Sequence, residues 1–105
     1  MKLYICQEVM ELLELEIKQF GRTQICLSPV LVEGTEPKAW AVFEARNFSE
    51  ATAELKSGKM SIWVPRKYLS ELDEQVIVRG KRGFTVGAMT DSLRSKTTQF
   101  IEKSS

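Results

Sequence analysis

Cys6-Gln7-Glu8-Val9-Met10-Glu11-Leu12-Leu13-Glu14-Leu15-Glu16-Ile17-Lys18-Gln19-Phe20, followed by Gly21, is the stretch on which the fold of this chain turns. Val9, Leu13, Ile17 and Phe20 recur at the spacing of one helix face, and Met10 and Leu12 widen that stripe. Glu8, Glu11 and Glu14 occupy much of the other face, and Glu14 stands four residues before Lys18, the spacing of a helical ion pair. Gly21 supplies the C-terminal stop, because glycine takes a left-handed backbone without steric cost. The reading is an amphipathic N-terminal helix that covers a sheet.

The segments around the helix read as strands. Lys2–Ile5 is short and β-prone, and it runs directly into the helix. Gln24–Val32 is an almost continuous apolar run, as in a buried strand. Pro29 inside it has no N–H to give and therefore needs an edge position or a bulge. Glu33-Gly34-Thr35-Glu36-Pro37 is a turn by composition, and Ala39–Arg46 alternates between two faces. These two segments predict a hairpin.

Asn47-Phe48-Ser49-Glu50 has the spacing of a helix N-cap, with Gly58 as a stop, yet Thr52–Leu55 fits an extended segment equally well. Residues 48–57 thus stay open between helix and strand. Lys59–Val64 alternates as a strand, and Pro65 suits the first turn of a short helix over Arg66–Leu72, where a missing N–H costs nothing. Gln75–Arg79 and Phe84–Ala88 flank Gly80-Lys81-Arg82-Gly83 and predict a second hairpin. Thr90 or Asp91 caps a final helix, Ser92–Lys103, whose apolar face is thin enough to fray.

The expected fold class is therefore α+β. Two hairpins form a small mixed or antiparallel sheet under the N-terminal helix, with residues 1–90 as one domain and 91–105 as a helical or frayed tail. A chain of 105 residues suffices for one such core without disulfide or metal support. No internal repeat is visible in the sequence.

Composition narrows the function classes. The net charge of +1 gives no general pull toward nucleic acid or anionic membrane. No apolar run is long enough to span a bilayer, and the N-terminus lacks the pattern of a signal peptide, so a cytoplasmic protein is expected. Cys6 and Cys26 fit a reducing compartment and read as small buried hydrophobes, although they could pair. Histidine is absent, which removes the commonest general base and metal ligand. No glycine array matches a dinucleotide or phosphate loop, so no catalytic, metal or cofactor-binding residue is assigned and an enzyme is not expected.

What remains is binding. Trp63, Arg66 and Tyr68 form the expected contact region for a protein partner, because tryptophan and arginine are enriched at interface hot spots. The basic hairpin residues Arg79, Lys81 and Arg82 join that region or, alternatively, serve a nucleic-acid or phosphate-binding module. Trp40 is read as either core or surface.

The order of elements, with Ala53-Glu54-Leu55-Lys56-Ser57-Gly58-Lys59-Met60-Ser61-Ile62-Trp63-Val64, then Tyr68-Leu69 and Arg82-Gly83-Phe84-Thr85-Val86, resembles the HesB-like A-type iron–sulfur carriers over about residues 2–90. The resemblance implies a compact β-sandwich-like fold and three cysteine ligands, one after the second strand and a Cys-x-Cys near the C-terminus. Val32-Glu33-Gly34-Thr35-Glu36 and Asp91-Ser92-Leu93-Arg94-Ser95 stand at those places and contain no cysteine. No family ligand carries over, and an atypical iron–sulfur or metal carrier would have to rest on Cys26.

Overall fold

A computed structural model describes residues 1–21, 24–30, 39–43, 52–80 and 83–103. Its strands are β1 Lys2–Cys6, β2 Gln24–Val30, β3 Ala39–Phe43, β4 Thr52–Ser57, β5 Met60–Pro65, β6 Gln75–Gly80, β7 Gly83–Ala88 and β8 Thr97–Glu102. The helices are α1 Gln7–Phe20, α2 Leu69–Leu72, which continues a 3-10 turn at Arg66–Tyr68, and α3 Asp91–Arg94.

Both expected hairpins are present, but the sheet does not stay open. The strands close into a barrel in the order β1-β6-β7-β3-β2-β5-β4-β8. β1 pairs parallel with β6 and β2 parallel with β5, while every other described pair is antiparallel. Closure leaves no sheet edge. Pro29 is accommodated all the same: its β2 residue pairs with Trp40 of β3, whereas pairing to β5 stops at Cys26.

The topology contains a repeat that the sequence does not display. A two-fold axis perpendicular to the barrel exchanges β1 with β5, β2 with β6, β3 with β7 and β4 with β8, and it preserves every neighbour and direction in the strand order. β1 and β2 stand opposite one another in the ring, so α1 crosses one mouth of the barrel. β5 and β6 also stand opposite, and the 3-10 turn with α2 crosses the other mouth. The N-terminal helix is thus a plug in an opening rather than a cover on a face.

The tail departs most from expectation. Thr90 does cap a helix, its hydroxyl accepting from the Leu93 amide at 3.3 Å, but that helix ends at Arg94. Thr97–Glu102 is a strand that closes the barrel between β1 and β4. Phe100 is fully buried there while Ile101 is 52% exposed. Adjacent apolar residues on opposite faces follow the two-residue period of a strand, with β-branched Thr97 and Thr98 before them. Residues 52–57, open in the sequence, are likewise a strand, whose Leu55 lies across from Ile62.

Leu3, Ile5, Leu55, Ile62, Val64, Ile77 and Phe100 fill the interior, and Val9, Met10 and Leu13 of α1 seal one end. Leu72 is the buried residue of α2. The residual space among Ile5, Val9, Leu13, Ile25, Ile62 and Ile77 is about 10 Å³, at the threshold for one water. Eight-stranded barrels either pack their interior with side chains or hold one small ligand there; this one is packed.

Candidate functional site

With the interior filled, contact chemistry has to lie outside, and the α1 mouth carries most of it. The first amide of α1 donates to the Lys96 carbonyl at 2.7 Å, and Gly21, at φ 66°, closes the helix through its N–H to the Ile17 carbonyl. Between these ends Val9, Met10 and Leu13 are buried as expected, and Ile17 is half-buried. Leu12, placed by its spacing in the apolar stripe, is 36% exposed, and Leu15 at the crest of the helix is 59% exposed. Glu8, Glu11 and Glu14 are exposed around this pair and Glu16 is half-buried.

Leu12 and Leu15 are one turn apart, so their side chains adjoin. Single exposed leucines are ordinary on a protein surface. A pair on a helix crest inside a ring of carboxylates is a patterned surface. Sequence reasoning passed over Leu15, although an apolar residue opposite the Val9–Leu13 stripe was a readable signal.

Of the residues expected to form the partner surface, Arg66 and Tyr68 follow β5 at one mouth and Arg79 ends β6 at the other. Arg66 lies at the α2 mouth, where its guanidinium pairs with Glu102 at 3.1 Å. Tyr68 is half-buried in the same turn, with the Lys67 ammonium 5.2 Å from its ring centroid. Arg79 lies at the other mouth, paired with Glu8 of α1 at 3.5 Å. Trp63 points away from the barrel interior between Cys26 and Glu54, half-buried, and its indole N–H is buried without a hydrogen-bond partner among the described residues. Lys81 and Arg82 lie outside the described residues, and Trp40 is placed only by its pairing with Pro29 and Phe84.

Cys6 and Cys26 are both free and buried. Burial pushes the Cys26 thiol up to about 11, so it is protonated at neutral pH and a poor metal ligand or nucleophile. Among the described residues no three His, Cys, Asp or Glu side chains meet in a metal-binding arrangement. Buried Ser61 donates to Glu54 Oε1 at 3.3 Å, and Lys56 Nζ is 3.7 Å from the same oxygen, so this carboxylate is already engaged by neighbours on β4 and β5. No helix among the described residues is long and apolar enough to cross a membrane.

Fold and surface together define an α+β barrel closed by eight described strands, plugged at both mouths and carrying an acidic, leucine-centred crest on the longer plug. No family model, curated protein or solved structure matches the chain.

Proposed function

We propose that the protein is a non-enzymatic cytoplasmic binding domain that docks a protein partner on the exposed crest of α1. The observation that carries this reading is the pair Leu12 and Leu15, solvent-exposed on a helix whose opposite face packs on the barrel through Val9, Met10 and Leu13. Apolar anchors within a polar rim are the usual anatomy of a contact site. The rim here is Glu8, Glu11, Glu14 and Glu16, so the partner chemistry it fits is a basic, amphipathic segment. A helix laid along a helix needs anchors three or four residues apart, the spacing these leucines have.

Two observations favour this surface over the alternatives. The same carboxylates stand at the mouth where Arg79 lies, and Glu8 occupies its guanidinium, which disfavours a phosphate-binding role for that end. Arg66 and Arg79 belong to opposite mouths, which disfavours a single patch built from both. The two buried thiols suit a reducing cytoplasm. Descent from a HesB-like scaffold is compatible with this reading and adds no ligand to the site.

Calorimetric titration with a synthetic lysine- and leucine-based amphipathic helix tests it. Binding is expected to weaken as salt rises and to fall at least about 10-fold in a Leu12→Ser/Leu15→Ser variant that melts like the parent. Equal binding by parent and variant would sink the proposal.

A further inference from the structure

We infer that a second site lies beside α1, where a groove of about 230 Å³ opens between the C-terminal half of that helix and the β4–β5 turn. Ile17 and Met60 form its apolar floor, and Glu14, Lys18 and Lys59 stand around it. The ligand class it fits is a small apolar monocarboxylate.

The charge pattern sets the sign of the ligand. Lys18 lies in the last turn of α1, where a cation is favoured by the helix dipole. Lys59 has no such duty. It is brought to the groove by a two-residue hairpin turn whose first central residue, Gly58, has φ 60°. A positive φ at that position is the requirement of the tight turns that suit strand twist. Neither lysine is in an ion pair among the described residues, although Glu14 is spaced to pair with Lys18. Two cations against one carboxylate leave the side chains of the rim net positive, which matches one negative charge better than the two of a phosphate monoester.

Size and polarity set the rest. The lining is almost wholly carbon, since the lysines also contribute their stems. The volume is below the roughly 300 Å³ of ordinary small-molecule sites. An open groove below that size suits a short unbranched chain. Hexanoate offers one: a five-carbon chain on Ile17 and Met60, with its carboxylate between Lys18 and Lys59.

The test follows methyl resonances of Ile17 and Met60 by NMR while hexanoate is added to the intact chain. Saturable shifts with a dissociation constant on the order of 1 mM are expected for a ligand this small. Hexylamine, which keeps the chain and reverses the charge, is expected to bind at least about 10-fold more weakly, and acetate not to saturate. Lys59→Glu is expected to lower hexanoate affinity by a similar factor with an unchanged melting midpoint, as for an exposed residue. Equal response to hexanoate and hexylamine, indifference to Lys59→Glu, or no saturation by about 20 mM, well beyond the expected constant, would each overturn the assignment. Lys59 is not on the α1 crest, so this outcome is independent of partner docking at Leu12 and Leu15.

Discussion

The two halves of the barrel, residues 2–57 and 60–102, carry out one topological plan with unequal means. In the first half, α1 spends 14 residues crossing its mouth and buries Val9, Met10 and Leu13. In the second, a 3-10 turn and a four-residue helix cross the opposite mouth with Leu72 as their fully buried residue. One opening is therefore sealed by half as many residues as the other. A helix about 21 Å long turns one face to the barrel and leaves its outer face free. The exposed leucines lie on that outer face, which is why the longer plug, and not the shorter one, is the candidate contact surface.

The largest effect that would break the comparison concerns the antiparallel rungs Leu3–Phe100 and Ile62–Leu55, which the pseudo-two-fold axis brings into correspondence. Phe100 and Leu55 are both fully buried. If the halves contribute equally to one cooperative core, Phe100→Ala should cost about 3–5 kcal/mol and Leu55→Ala about 2–5 kcal/mol. Both would be read from the urea midpoint at constant slope. A Phe100→Ala loss below about 1 kcal/mol would mean that β8 is peripheral, and the closed barrel would then be wrong.

The same rungs explain what was legible in the sequence. Helix α1, both hairpins, the strand Met60–Pro65 and the turn of helix after Pro65 all follow from local signals: period, glycine stops and the missing proline N–H. Closure does not, because parallel pairing of β1 with β6 joins residues some 70 positions apart, as at Tyr4 and Val76. Strand β8 was hidden because Leu93, Phe100 and Ile101 imitate a thin helical face, and only a partner strand on each side turns Phe100 inward. The repeat was hidden for a related reason. Corresponding positions need only share a direction of burial, so Leu55 can stand where the other half has phenylalanine. The candidate site is half legible: Glu8, Glu11 and Glu14 stand out by spacing, but Leu12 reads as part of the apolar stripe and Leu15 falls outside it.

A smaller effect separates matching faces of the two halves. Cys26 beside Trp63, and Val76 beside Tyr4, hold corresponding positions in the parallel rungs, and both are fully buried. Val76 cannot titrate, whereas Cys26 has its thiol raised from 9.0 to about 11 by burial. Between those values the folded chain holds a proton that the unfolded chain has released. Stability tied to Cys26 is therefore present below pH 9 and lost as the pH rises toward 11, by up to about 2–3 kcal/mol. Cys26→Ala should flatten that alkaline limb, and the native thiol should resist a disulfide reagent at pH 8 until the chain unfolds. Rapid native labelling of Cys26 would remove the distinction between the two faces.

The smallest effect lies where each plug hands over to its next strand. Gly21 leaves α1 at φ 66°, and Glu74 leaves the α2 segment at φ 59°. Both are left-handed, but only one is glycine. Space is not the constraint at Gly21, since a Cβ there would meet nothing within 4 Å. Glutamate is held in this conformation by its surroundings: the Glu74 amide donates to the Lys2 carbonyl at 2.8 Å, and the Lys2 amide donates to Asp73 Oδ1 at 3.1 Å. Left-handed backbone costs a side-chain-bearing residue about 1 kcal/mol, partly offset in glycine by the larger freedom of its unfolded chain. Glu74→Gly should therefore stabilise by about 0.5 kcal/mol, and Gly21→Ala should destabilise by about 1 kcal/mol, both read from thermal midpoints. Opposite signs would show that the two exits demand the same left-handed backbone and differ in how far their residues have been fitted to it. Destabilisation by Glu74→Gly would place the value of that corner in the glutamate side chain instead.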